Sequence, residues 1–363
     1  MARLNLDDWE VAAKASLSKM AFDYYGSGAN DEVSLTENQA AFQRIALRYR
    51  VLRDVGQRDC GTTLFGDRIE MPILIAPTAF HQLAHEDGEL ATAKAAEAAG
   101  TIMTLSTLAN RSVEKVVAAT KAPVWFQLYI YKDRGITSAM LDRVAAAGCK
   151  ALVFTVDAPL LGRRERDMRN GFCLPDGFSM ENLLPEGFDA MRPADSGSSL
   201  AAYFAELLDP SISWRDLEWL CTRTNLPVLV KGIVHPLDAV KAVDAGAAGV
   251  VVSNHGGRQL DTAPATIRAL PHVAAAIAGR QTLTGGAPLV LLDGGIRRGT
   301  DVVKALALGA RAVLVGRPVL WGLGVDGREG VASVLKLLAD ELDLAMALCG
   351  CRSLAEIGED LIF

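Results

Sequence analysis

At 363 residues, half of them hydrophobic, the chain is long enough to bury a large core, either as one barrel domain with additions or as two domains. Its net charge of −6 and its short basic clusters (Arg163-Arg164 and Arg297-Arg298) leave no basic stripe to displace counterions, which excludes nucleic acid as a partner. No apolar run reaches the ~18 residues of a membrane span, and the N-terminus lacks an apolar signal core, so no membrane association is expected.

In chain order, Leu6 to Met20 and Val33 to Phe42 read as helices, with Phe22 to Gly28 a glycine-punctuated loop between them. The first clear strand is Met71 to Ala76, closing on Pro77-Thr78-Ala79. Helix and strand then alternate. Helical Leu90 to Ala99 precedes the strand Ile102 to Leu105, which closes on Ser106. Helical Val113 to Ala119 precedes Val124 to Tyr129, and helical Ala139 to Ala147 precedes Ala151 to Val156, closing on Asp157. A long excursion, 158–227, breaks the rhythm with prolines, glycines and a polar patch at Asp195 to Ser199; its size suits a lid over a site or a disordered segment. The rhythm resumes with the strand Val228 to Lys231, a helix Pro236 to Ala245 and the strand Gly249 to Val252. A helix Ala265 to Ala278, the strand Leu289 to Asp293, a helix Asp301 to Leu308 and the strand Ala312 to Val315 complete it, with a final helix Val331 to Ala347.

Eight strand–helix units at this spacing predict an α/β fold, a (β/α)8 TIM barrel spanning 1–363 as one domain, with N-terminal helices, a long lid after the fourth strand and a C-terminal helix. A doubly wound sheet is the competing architecture, but no GxGxxG opens the first helix after the first strand. In a barrel the C-terminal strand ends converge on one site. Here the aliphatic strands switch at those ends to Thr78, Ser106, Gln127, Tyr129, Thr155, Asp157, Lys231, Ser253 to Arg258, Asp293 to Arg297 and Gly316-Arg317. Taken alone, one polar strand end is as consistent with a turn as with a site. Eight together point to chemistry.

The segment Ser253-Asn254-His255-Gly256-Gly257-Arg258 pairs a group that can take a proton near neutral pH with one that can grip a carboxylate, around two glycines that leave room for a flat ligand. Asp293-Gly294-Gly295-Ile296-Arg297 and Gly316-Arg317 end the seventh and eighth strands, where such barrels bind phosphate on glycine N–H groups. Lys231 ends the fifth strand, either as a Schiff-base nucleophile or as a fixed cation beside an electron-accepting ring. His81 and His85 follow the first strand and could reach the pocket, whereas His235 and His272 read as structural. The six cysteines (Cys60, Cys149, Cys173, Cys221, Cys349, Cys351) form no CxxC or metal-ligand spacing, and no HExxH occurs. No metal site is expected, and reduced thiols in the cytoplasm are.

With these residues assembled, the chain resembles the FMN-dependent (S)-2-hydroxy-acid oxidase and dehydrogenase family, whose short members include glycolate and L-lactate oxidases. The resemblance runs from FDYYGSGA (22–29) through IAPTA, WFQLY, TVDAP, LGRRERD, VKG, SNHGGRQLD and DGGIRRGTD to GRP (316–318). It implies FMN as cofactor and a homotetramer. It implies that short acids such as L-lactate and glycolate are oxidised to 2-oxo acids, with O2 reduced to H2O2; a dehydrogenase using another acceptor, or a larger substrate such as mandelate, is the alternative. Residue by residue, it implies His255 as the base, Asp157 supporting its imidazolium, and Arg258 and Arg164 holding the substrate carboxylate with Tyr24 and Tyr129. Pro77, Thr78 and Ala79 would support the flavin ring, with Ser106, Gln127, Tyr129, Thr155, Lys231 and Ser253 along its edge and ribityl chain. Asp293, Gly294, Gly295, Arg297, Gly316 and Arg317 would take the phosphate end. Plant glycolate oxidases carry tryptophan where this chain has Leu108, so room for a substrate methyl is expected there.

Overall fold

A computed structural model describes residues 2–183 and 198–363. The chain begins with α1 (Leu6–Ser16), α2 (Lys19–Gly26) and α3 (Val33–Gln43), followed by a two-stranded hairpin, β1 (Thr62–Leu64) and β2 (Asp67–Ile69). Then come β3 (Ile73–Ile75), α4 (Glu89–Ala98), β4 (Met103–Ser106), α5 (Val113–Ala118), β5 (Val124–Leu128), α6 (Arg134–Ala147) and β6 (Ala151–Thr155). After β6 lie α7 (Glu165–Arg169), α8 (Ser199–Leu207) and α9 (Trp214–Arg223). The rest is β7 (Val228–Ile233), α10 (Pro236–Asp244), β8 (Gly249–Val252), α11 (Thr266–Ile277), β9 (Leu289–Asp293), α12 (Gly299–Ala307), β10 (Ala312–Val315) and α13 (Arg317–Cys349). Strands β3 to β10 pair in parallel and close a barrel in the order β10-β3-β4-β5-β6-β7-β8-β9, the expected (β/α)8 architecture.

Strand side chains alternate between the two faces, and here the period of two divides the core. Leu74, Trp125, Val153, Leu229, Val251, Leu291 and Leu314 share the barrel interior, while Ile73, Phe126, Phe154, Val230, Val250, Leu292 and Val313 pack outward under the helices. Two residues further along each inward-facing row come Gln127, Thr155, Lys231, Ser253, Asp293 and Gly316, which the register sets side by side as Ser106↔Gln127 and Thr155↔Lys231. The same alternation that fills the core thus aims the polar strand ends at the barrel axis.

Four local expectations are revised. The helix expected from Leu6 to Met20 breaks at Leu17, because Ser18 accepts from the Ala21 N–H and starts α2, whose helical span takes in Phe22 to Gly26, expected as loop. The hairpin was not anticipated; Phe65 (φ 49°) and Gly66 (φ 91°) turn it tightly, and Leu64 and Ile69 enter the interior cluster with Trp125. The 158–227 excursion holds three α-helices in its described part, and its last, α9, is the barrel helix between β6 and β7, started by a Ser213/Asp216 capping box and buried through Leu217 and Leu220. The polar patch falls partly outside the described residues, at 195–197. Finally, α13 begins at Arg317 and carries a break at Asp326-Gly327, so the expected helix Val331 to Ala347 is only its second half.

Candidate active site

The C-terminal mouth of the barrel opens into a pocket walled by the ends of the strands. Tyr24, Pro77, Thr78, Ala79, Ser106, Leu108, Gln127, Tyr129, Thr155, Arg164, Lys231, His255 and Arg258 all line it. So do Asp293, Gly294, Gly295, Arg297, Gly316 and Arg317. Asp157 and Ser253 stand directly behind that wall.

His255 Nδ1 lies 2.8 Å from Asp157 Oδ1, which leaves Nε2 as the ring nitrogen without a partner among the described residues. His255 holds φ 57°, a left-handed conformation that side chains rarely adopt, and its N–H donates to Ser253 Oγ at 3.0 Å. The register of β7 shifts between Lys231 and Ile233, and Gly232 (φ +110°) sits in the irregularity against Asp157. A Cβ on Gly232 would lie 2.5 Å from Asp157 Cβ, so only glycine lets the carboxylate approach the imidazole this way. Gln259 fastens the two loops together, donating to Asp157 O at 3.0 Å and to Leu160 O at 2.8 Å.

Burial, reinforced by the Lys231 charge, pulls the His255 pKa below its ordinary value against the pull of Asp157, so the ring is neutral and able to accept a proton. Burial alone would raise the Asp157 carboxyl, but His255 and Lys231 together hold it below the usual carboxylate range. Lys231 is only 3% exposed, and an unpaired cation there would cost several kcal/mol. Its Nζ lies 3.1 Å from both Asp293 Oδ2 and Ser253 Oγ. Burial would lower its pKa, but Asp293 and Asp157 raise it overall, so it stays a cation.

Arg258 packs its guanidinium 5.2 Å from the centroid of the Tyr24 ring and donates to Ser27 O at 2.8 Å. Arg317 donates to Tyr25 O and Ser27 O, both at 3.0 Å, so two arginines meet the carbonyl end of α2. Among the described residues, the side chain of Arg164, 5% exposed, makes only long hydrogen bonds, 3.5 Å to Arg258 O and 3.4 Å to Gln259 Oε1. Burial and the neighbouring Arg258 charge press Arg164 down to about 10. Burial, with Arg258 and Arg297, presses Arg317 down to about 9. Cations crowded like this are poised for anions. Burial raises the pKa of Tyr24 and, more strongly, of Tyr129, so both phenols keep their protons as donors.

The glycine pairs serve a purpose the sequence does not disclose. Gly256, Gly257, Gly294 and Gly295 all have positive φ. A Cβ on Gly257 would strike the Leu35 backbone and one on Gly295 the Asn38 carbonyl, so these two positions make room for α3, whereas Gly256, whose Cβ would meet Arg317 Nη1 at 2.8 Å, lines the pocket. Asp261 caps α3 by accepting from Ser34 N at 2.8 Å, and Asn38 and Asn254 exchange amide bonds of 2.8 and 2.9 Å. His81 and His85 are not in the pocket. The His81 ring is buried between Thr78 Oγ1 and Thr92 Oγ1, and His85 lies against Gly327. His235 caps α10. Sequence reasoning missed Tyr25, Leu200, Phe204 and Leu320 in the lining. The helical spacing of Leu200 and Phe204 was the available signal, since α8 turns both toward the pocket and sets Phe204 edge-on to Tyr129 at 5.4 Å.

Residues 13–363 match the sequence pattern of the FMN-dependent dehydrogenases. The chain belongs to that family. It is 54% identical to an L-lactate oxidase of Nostoc sp. (strain PCC 7120 / SAG 25.82 / UTEX 2576), over 98% of this chain and 96% of the relative. It is 51% identical to a glycolate oxidase of Spinacia oleracea, over 99% and 95% of the two chains. Among solved structures, mandelate oxidase with (S)-4-hydroxymandelic acid superposes with a TM-score of 0.93 at 43% identity, over 99% of this chain and 98% of that one.

The pocket of this family member fits FMN. Gln127 accepts through Oε1 from Ser106 Oγ at 3.2 Å, yet its buried Nε2 has no partner among the described residues, a donor awaiting an acceptor. The guanidinium groups of Arg297 and Arg317 beside Gly316 and Gly295 suit a phosphate dianion. Donors for the ring and a cationic end for the phosphate thus occupy one continuous pocket.

Proposed function

We propose that this protein oxidises short (S)-2-hydroxy acids, L-lactate and glycolate foremost, to 2-oxo acids, with O2 as electron acceptor and H2O2 as product. The carrying observation is the His255–Asp157 pair at 2.8 Å in a wall that also presents Arg164, Arg258 and cationic Lys231. When bound, FMN supplies the two-electron acceptor for the substrate and returns those electrons to O2.

The chain's own residues do the rest. Arg258 and Arg164 hold the substrate carboxylate through charge-assisted hydrogen bonds, and the Tyr24 and Tyr129 hydroxyls donate to substrate oxygens. His255 accepts the leaving proton at Nε2, while Asp157 fixes Nδ1–H and stabilises the imidazolium that forms. Lys231 supplies a fixed positive charge in the wall, held by Asp293. Its raised pKa disfavours the alternative of a Schiff-base nucleophile, which must be neutral. Pro77, Thr78 and Ala79 with Ser106, Gln127 and Thr155 hold the ring end of the cofactor. Ser253 orders the Lys231–Asp293 pair behind them, and Asp293, Gly294, Gly295, Arg297, Gly316 and Arg317 take the ribityl and phosphate end. Leu108, where plant glycolate oxidases have tryptophan, leaves space for a substrate methyl. That same space, with the mandelate oxidase likeness, favours a second reading in which larger acids such as mandelate are accepted.

The whole chain acts as one domain, with the excursion after β6 covering the pocket through α8. A cytoplasmic homotetramer is the setting we infer, the assembly from the family resemblance and the reducing compartment from six cysteines that are all free thiols. Anaerobic mixing of the yellow holoprotein with L-lactate tests the reading. Bleaching, followed by recovery of colour and H2O2 release on admitting O2, is expected; a holoprotein that L-lactate, glycolate and mandelate all leave oxidised would refute it.

A further inference from the structure

The turn under the pocket is held from behind by two buried residues that the proposed reaction does not use. Glu89 opens α4 and is fully buried. Its Oε1 accepts from the His81 N–H at 3.1 Å and from the Asn110 N–H at 3.0 Å. Asn110 Oδ1 in turn accepts from the Gln82 N–H at 3.1 Å. A single carboxylate oxygen therefore joins the loop after β3 to the loop after β4. His81, also fully buried, sets its ring between Thr78 Oγ1 at 2.6 Å and Thr92 Oγ1 at 2.9 Å. Between these anchors Phe80 is held at φ 60°, a left-handed conformation that a side chain adopts only under restraint. The Phe80 N–H donates to Leu108 O at 3.3 Å, and Tyr25 donates its hydroxyl to Phe80 O at 2.5 Å.

Thr78 and Ala79 line the pocket on one side and Leu108 on another, whereas Glu89, His81 and Asn110 do not line it. Burying a carboxylate whose Oε2 has no partner among the described residues is costly, and an apolar side chain would fill the space more cheaply. What Glu89 adds is an acceptor reaching two loops. Burial keeps His81 neutral, with a pKa pulled down to about 3, so its contribution is hydrogen bonding rather than charge.

We propose that Glu89 and His81 are positioning residues of this active site: Glu89 couples the Pro77–Ala79 turn to the Leu108 loop, whereas His81 restrains the turn alone. The proposal rests on the FMN reading above. FMN release from the holoenzyme, followed by fluorescence, reports on the turn, and KM against kcat for L-lactate reports on the Leu108 loop.

Glu89→Leu and His81→Phe should both release FMN about tenfold faster, the scale of a lost hydrogen bond. Only Glu89→Leu should also raise KM about tenfold while kcat changes much less. Glu89→Gln, which keeps a carbonyl acceptor at Oε1, should restore both quantities. Unchanged FMN release in Glu89→Leu, identical effects of the two variants on release and KM, or a Gln variant as impaired as Leu would each overturn it. If Glu89→Leu does not fold, Glu89→Met, which keeps the side-chain length without the oxygen acceptor, takes its place; a raised KM supports the coupling and an unchanged KM overturns it. FMN release needs no substrate, so a wild-type enzyme inert toward L-lactate would sink the functional reading separately.

Discussion

Replacing Gly232 by alanine should cripple catalysis although Gly232 does not line the pocket. Its φ of +110° is a conformation L side chains rarely adopt, so strain of about 1–3 kcal/mol enters before any contact is considered. The new Cβ would stand 2.5 Å from Asp157 Cβ, 2.6 Å from Cγ and 2.9 Å from the Asp157 N. Reaching an ordinary contact of 3.4 Å requires Asp157 or the β7 irregularity to move by roughly 1 Å, a displacement that can cost about 100-fold in rate when it misaligns a catalytic group. A 100-fold fall is about 2.7 kcal/mol of transition-state stabilisation. The assay is kcat for L-lactate on variant protein with its FMN content and thermal midpoint measured alongside. The expected result is a folded, flavin-loaded enzyme with kcat down by about two orders of magnitude. A loaded variant with wild-type kcat would show that the Gly232–Asp157 approach does not set the His255 geometry.

The pH profile follows from the same pair. In the proposed reaction neutral His255 is the active form, so kcat/KM should rise with pH through a pKa below the ordinary 6.5, and a limb centred above 7 would contradict the buried-imidazole argument. Asp157→Asn removes the charge that holds this pKa up, so the limb should move lower still while kcat falls by about 10²–10⁴. Leu108→Trp should shift the kcat/KM ratio from L-lactate toward glycolate by about 1–3 kcal/mol, read from paired kinetics. Arg317→Leu should weaken FMN binding to the apoprotein about 10–100-fold in a fluorescence titration, as expected for a lost charge-assisted contact.

Much of this was legible in the chain because barrel strands announce their inward rows. Once Trp125, Val153, Leu229, Val251 and Leu291 are read as buried, the period of two places Gln127, Thr155, Lys231, Ser253 and Asp293 at the mouth without any tertiary information. The β1–β2 hairpin escaped because Thr62-Thr63 and Asp67-Arg68 leave each of its strands a single aliphatic residue, whereas the equally short β3 is an unbroken aliphatic run. Helix α9 escaped because the polar residues in Trp214–Arg223 hide an apolar stripe of only two fully buried leucines. Leu200 and Phe204 escaped for a related reason: on an excursion helix, helical spacing does not say which surface it will cover.

Local sequence alone determined the barrel, its polar crown and the residue types proposed as base, clamp and cation, since alternation and strand-end chemistry are properties of neighbouring residues. Only the folded chain decided that Gly257 and Gly295 make room for α3, that Gly232 admits Asp157 to His255, and that Glu89 ties two loops together. Each is a contact between backbone segments far apart in sequence. What an absent side chain or a buried carboxylate is for depends on what packs against it, and packing is settled only when the whole barrel closes.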